Sequence, residues 1–212
     1  MSMPLVIIGC GGFGREVHDV IDAMNEVKPT WNLLGYLDDL PEQVNVSRVE
    51  SRNSRVLGDT NWLTAAGQEV QFVIGIGTGK TRRIIDERFS AAGLTAATLV
   101  HPAATLGHDV RVGMGSVICA GVRVTTNISL GRHVHLNINT TVGHDCTLKD
   151  YVTVNPLVAI SGGVTIGTET MLGTHSAILQ NLTVGERSVV GAGSCVVKDV
   201  PNDTVVKGVP AR

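Results

Sequence analysis

The sequence predicts a two-part chain: an α/β unit with a parallel sheet over residues 1–100, then an all-β solenoid of stacked triangular coils over residues 101–212. Three observations carry this. Strand and helix patterns alternate along the first part. In the second part the helical signal stops and aliphatic residues recur at every sixth position. Rings are scarce throughout: Phe, Trp and Tyr make up 3% of 212 residues, against 25 glycines. A core so poor in rings is built from small aliphatic layers.

In chain order, residues 5–8 are an apolar run that ends in glycines, a strand. Val17, Val20, Ile21 and Met24 follow at helical spacing over 15–25. Residues 33–37 read as a second strand, closed by Asp38 and Asp39. Residues 40–56 are polar and read as a loop. Residues 72–76 make another strand, ending among Gly75, Gly77 and Gly79. Ile84, Ile85 and Phe89 give residues 80–92 helical character, and 96–100 reads as a last short strand.

The hexapeptide repeat starts at Leu106. It runs through Val112, Ile118, Val124, Leu130, Leu136, Val142, Leu148, Val154, Ile160, Ile166, Leu172, Ile178, Val184, Val190 and Val196. Chance at this composition gives such a register about 10⁻⁹ of the time, and no helix or alternating strand has period six. The next residue is Gly at 107, 113, 131, 143, 167, 173, 185 and 191, where it is expected to permit the turn geometry. Two residues before the aliphatic stands a small or β-branched residue, such as Ser116, Thr140 or Ser188, expected beneath a corner. Each unit then supplies one short strand and one corner, and three units make a coil of 18 residues. The aliphatic fills the prism axis, and stacking buries what one coil cannot.

Composition excludes several classes. Hydrophobicity is high and net charge is only −2, so the chain is not disordered. No apolar run is long enough to span a membrane. Lys+Arg number 17 against 19 Asp+Glu, which gives no basic field for nucleic acid. Met1-Ser2-Met3-Pro4 and the short run after it do not form a secretion signal. Cys10, Cys119, Cys146 and Cys195 are scattered, with no CxxC, so reduced thiols in a cytoplasmic protein and no metal site are expected.

Two segments point to chemistry. His144-Asp145 falls at a coil corner in Thr140-Thr141-Val142-Gly143-His144-Asp145-Cys146. A neutral imidazole suits proton abstraction near neutral pH, and an adjacent carboxylate orients the ring. Gly9-x-Gly11-x-x-Gly14 follows a strand and opens a helix, with Asp38 and Asp39 ending the second strand. Free backbone N–H groups and a helix start suit a diphosphate, and an acidic residue suits a ribose. Gly75-Ile76-Gly77-Thr78-Gly79-Lys80 lacks phosphate-loop spacing. His108, His133 and His175 are expected on exposed or interface-lining corners, and His101-Pro102 at the domain junction as structural.

The unbroken repeat, the ending Gly208-Val209-Pro210-Ala211-Arg212 and the glycine turn at 9–14 together mark a family. Over residues 3–212 the chain resembles the sialic-acid O-acetyltransferases and nucleotide-linked 4-amino-sugar N-acetyltransferases (NeuD/PglD-like) of the hexapeptide acyltransferase superfamily. The resemblance implies a Rossmann-like nucleotide-sugar domain followed by a left-handed parallel β-helix. It also implies acetyl-CoA as co-substrate, no metal, and a homotrimer with sites between neighbouring β-helices.

By position it implies His144 as base, Asp145 as its support and Asn137 beside it. Gly11, Gly12, Phe13, Asp38, Asp39, Gly77 and Thr78 fall where the nucleotide sugar binds. Thr153, Thr174 and Ala192 fall on the coenzyme path, with Lys198, Lys207 and Arg212 near its phosphates. The chain departs from the family at Phe13, where many members have His, at Thr153, the place of a second His, and at Thr78-Gly79, where a polar pair is usual. His135 lies one coil before Thr153. The implied reaction is N-acetylation of a nucleotide-linked 4-amino-4,6-dideoxy sugar. O-acetylation of a sialic acid, or a NAD- or nucleotide-binding protein on a β-helix scaffold, are the alternatives.

Overall fold

The structure is a computed structural model and describes residues 2–212; Met1 of the N-terminal tetrapeptide lies outside the described residues. The first part runs β1 (Met3–Ile8), α1 (Gly12–Val27), β2 (Trp31–Leu37), α2 (Gln43–Glu50), β3 (Val56–Gly58), α3 (Asn61–Ala66), β4 (Gln71–Ile74) and α4 (Gly79–Ala91). The sheet is wholly parallel in the order β3-β2-β1-β4. Chain progression reverses between β1 and β4, which opens a crevice beyond their carboxyl ends.

Two segments differ from the sequence reading. Residues 40–56 contain α2 rather than a plain loop; the helix is polar because it buries only Val49, so its apolar periodicity is faint. In the 96–100 segment, Ala96 makes a lone bridge to Phe72, while Leu99–Val100 pairs with Val117–Ile118 and starts the solenoid.

The second part is a parallel β-helix with three faces. The first face has seven strands from Leu99–Val100 to Val205–Val206, the second six from Thr105–Leu106 to Cys195–Val196, and the third five from Val110–Val112 to Thr183–Val184. Strands pair with the residue 18 positions on, as in Leu136↔Val154 and then Val154↔Leu172. The aliphatic column fills the axis and is buried along its length from Ile118. Beyond Val196 the last turn shortens, pairing Val190 with Val206, and buried Ala211 closes the open end.

The corner chemistry differs from the expected one. None of the glycines that follow the aliphatic has a positive φ. They are needed because the coils approach closely: a Cβ at Gly107 would stand 2.0 Å from the Thr125 carbonyl oxygen. The left-handed position comes two residues later. Every sixth residue from Asp109 to Gly193 has positive φ, whether Gly, Asn or a bulkier side chain such as Tyr151 or Leu157. Asn, Asp and Gly tolerate that conformation best.

The two parts share one core. Val17, Val20 and Ile21 of α1 cluster with Leu99, Val117 and Cys119 of the first face. Arg82 of α4 is completely buried and locks the junction. Its guanidinium donates to the carbonyls of Ile76, Gly77, His133, Tyr151 and Val152, and to Thr153 Oγ1. Next to it, Asp86 accepts from Arg132, from Ser90 and from Tyr151 Oη at 2.7 Å. His133, expected on an exposed or interface-lining corner, is buried here against the Tyr151 ring, with Nε2 3.1 Å from Asp86 but outside hydrogen-bond geometry. The α/β unit therefore packs on the first face and on the edge between the third and first faces.

Candidate active site

His144 and Asp145 sit on the edge between the second and third faces. Asp145 occupies a left-handed corner, φ 61°. Its Oδ2 lies 2.7 Å from His144 Nδ1, and its Oδ1 accepts from Asn127 Nδ2 at 3.1 Å. The His144 bond, with Asn127 second, holds the Asp145 carboxyl below its usual range. An ionised carboxylate requires the proton of the neutral ring on Nδ1, which leaves the Nε2 lone pair free. Both side chains are well exposed. Gly162, one coil on, lies under the ring: a Cβ there would stand 2.5 Å from Nε2 and Cε1.

The glycine loop after β1 builds a second feature. A cavity of about 590 Å³ opens beyond β1 and β4, at the crevice where the sheet order reverses. Gly11, Gly12, Phe13, Asp38, Asp39 and Gly77 line it. Gly9 takes φ 98°, and Gly14 lets α1 start against the Gly9 carbonyl, where a Cβ would be 2.0 Å away. A Cβ on Gly11 or Gly12 would meet nothing within 4 Å, so that rim is open. The acidic pair also shapes the loops: Asp38 accepts from Cys10 N and Asp39 from Thr60 N.

Phe13 and Gly77 also line a smaller cavity of about 230 Å³, with Asn137, Thr153 and His135. His135 is fully buried, its ring 4.8 Å from that of Phe13. Burial, with Arg82 and His133 nearby, drives its pKa well down, so the ring is neutral. Asn137 Nδ2 donates to the Val154 carbonyl. Thr153 is buried, with its hydroxyl donating to the Gly77 carbonyl at 2.7 Å while it accepts from Arg82. Its polar atoms thus serve the junction. Thr78 and Lys80 line a third cavity, of about 520 Å³, against the first face. Thr174 and Ala192 are exposed one coil apart on the edge between the first and second faces, which also carries Asn137.

These positions fall on different sides of the prism. The α/β unit and its cavities lie against the first face, while His144 is on the opposite edge. One chain does not bring His144 to the glycine-loop cavity or to Asn137. The sequence reasoning missed Asn127 and Gly162, although each lies one 18-residue coil from Asp145 or His144. It also missed Arg82, for which no local pattern exists. Among the described residues no cluster of His, Cys, Asp and Glu could hold a metal, and no helix is long and apolar enough to cross a membrane.

The PglD N-terminal domain family matches residues 4–89. GDP-perosamine N-acetyltransferase of Escherichia coli O157:H7 is 30% identical over 97% of this chain and 94% of its own length. PerB from Caulobacter crescentus, solved with CoA and GDP-perosamine, superposes with TM-score 0.88 at 27% identity, covering 99% of this chain and 96% of that one. The acetyltransferase domain of PglB from Neisseria gonorrhoeae FA1090, solved with acetyl coenzyme A, gives 0.88 at 30% identity, covering 100% and 99%. These likenesses, on a Rossmann-like unit fused to a left-handed hexapeptide β-helix, define a hexapeptide-repeat acetyltransferase. The chain belongs to the PglD/NeuD-like family of sugar acetyltransferases.

Proposed function

We propose that this protein is an acetyl-CoA-dependent N-acetyltransferase of a nucleotide-linked 4-amino-4,6-dideoxy sugar, working as a homotrimer. The observation that carries the reading is the His144 imidazole, pinned at Nδ1 by Asp145 and open at Nε2, on a chain related end to end to perosamine N-acetyltransferases. The glycine-loop cavity takes the nucleotide, with the N–H groups around Gly11 and Gly12 toward the diphosphate. The sugar extends through Phe13 and Gly77 toward Asn137. Thr174 and Ala192 border the coenzyme path along the edge between the first and second faces.

A neighbouring chain supplies His144. His144 Nε2 accepts the proton that the amine gives up as its nitrogen bonds to the thioester carbonyl carbon. The carbon–sulfur bond breaks and the coenzyme leaves as its thiol, with that proton returned to sulfur. Asp145 keeps the lone pair on Nε2 and stabilises the ring while it is charged. We place the reaction in the cytoplasm. The test is thiol release from acetyl-CoA with GDP-, UDP- and dTDP-linked 4-amino-4,6-dideoxy sugars and with free and CMP-linked sialic acid. The account expects an amino sugar to respond and His144→Ala to abolish the response. Turnover with sialic acid alone would overturn the N-acetylation.

A further inference from the structure

The smaller cavity, of about 230 Å³, carries a single acid on its wall, Glu16. Its two amide side chains each have one of their two hydrogens engaged within the protein. Asn137 Nδ2 donates to the Val154 carbonyl at 2.8 Å and Asn155 Nδ2 to the Leu172 carbonyl at 2.9 Å. Thr153 donates to Gly77 and accepts from Arg82. What remains for a guest is one hydrogen on each amide nitrogen, lone pairs on Asn137 Oδ1 and Asn155 Oδ1, and the carboxylate of Glu16, the one acid of this lining, which completes the wall from α1. His135 adds one donor and one acceptor: both its ring nitrogens are buried without a partner.

Such a wall discriminates between guests. A hydroxyl has one hydrogen to give, to the carboxylate or to an amide oxygen but not to both. A primary amine has two, and an ammonium three with a charge opposite to that of Glu16. The cavity adjoins the nucleotide cavity through Phe13 and Gly77. We infer that Glu16 is the specificity-determining residue that makes this cavity select a sugar amine over a hydroxyl at the acetyl-accepting carbon. The inference rests on the acetyltransferase reading above and extends it to the residue that separates N- from O-acetylation. Glu16 is not a catalytic residue here. It holds the nitrogen; an amine that arrives as an ammonium gives its first proton to water before the attack, and His144 takes the second as the bond to carbon forms.

The test is Glu16→Gln, which keeps the shape and removes the charge at an exposed helix position. Affinities without acetyl-CoA are measured by calorimetry, and KM and kcat by thiol release. The probes are the GDP-, UDP- and dTDP-linked 4-amino-4,6-dideoxy sugars and their 4-hydroxy counterparts. Wild type is expected to bind its amino sugar about tenfold more tightly than the hydroxy counterpart, the scale of a charge-assisted hydrogen bond near solvent. In Glu16→Gln, KM for the amino sugar rises about tenfold and kcat stays within about twofold, while affinity for the hydroxy sugar is unchanged. A variant that keeps the wild-type preference, or that weakens both sugars equally, overturns the assignment. A wild-type protein that acetylates none of the amino sugars removes the underlying reading instead, and the inference with it.

Discussion

Gly162→Ala separates chemistry from stability. The added Cβ would stand 2.5 Å from both Nε2 and Cε1 of His144, where ordinary contact begins at 3.4 Å. The ring must retreat by about 1 Å, and it is free to do so because the side chain is exposed. Gly162 itself has an ordinary φ, so alanine fits the backbone. Gly→Ala at a compatible site stabilises a protein by about 0.4–1 kcal/mol through the unfolded chain. The expected outcome is an unchanged or slightly raised Tm. Thiol release should fall about 100-fold, the usual consequence of a reacting group displaced by 1 Å. Calorimetry and the thiol assay on one preparation read both. Wild-type turnover would refute the claim that Gly162 seats the base, and so would a loss of turnover that merely followed unfolding.

Other expectations follow from the same geometry. Asp145→Asn should lower kcat about 10- to 100-fold with little change in KM, since it removes the group that fixes the His144 tautomer. Arg82→Met leaves the Ile76, His133 and Tyr151 carbonyls at the junction without this donor, while Gly77 and Val152 keep another, and should destabilise by about 3–5 kcal/mol, read as a lower urea midpoint. At Asp86, burial raises the carboxyl pKa, but the contacts from His133, Arg132 and Tyr151 outweigh it and hold the group far below its ordinary value. A depressed folded-state value contributes stability that is full above the unfolded pKa, about 3.9, and is lost as pH falls toward the folded value. Asp86→Asn should therefore lower Tm at pH 7, and the gap to wild type should close below about pH 4.

The β-helix is legible because its physics is one-dimensional. One aliphatic per six residues must reach a narrow axis, so the register shows in sequence from Leu106 to Val196. The same periodicity places His144 and Asp145 on a corner. It misleads on the glycines, because composition reports that a small residue is needed without saying whether φ or a neighbouring coil requires it. The helix α2 escapes a periodicity reading because it buries a single side chain, Val49. His133 reads as a corner residue like its repeat mates; only the packing of α4 over that edge buries it. The junction held by Arg82 and Asp86 depends on contacts between residues about 50 to 70 positions apart, which no local pattern records. The family resemblance sets Thr153 on the coenzyme path; the bond from its hydroxyl to the Gly77 carbonyl is a junction contact that the repeat does not show.

The central claim is that the base and the nucleotide cavity of one active site come from different chains, and subunit mixing tests it directly. His144→Ala removes the base. Gly12→Trp fills the nucleotide cavity from a position where a Cβ meets nothing within 4 Å. Each variant alone should be inactive. Coexpressed in equal amounts, they form mixed trimers in which an intact cavity faces an intact His144 at about a quarter of the sites, so about a quarter of wild-type thiol release should return. A coexpressed mixture as inactive as its parents would contradict the account.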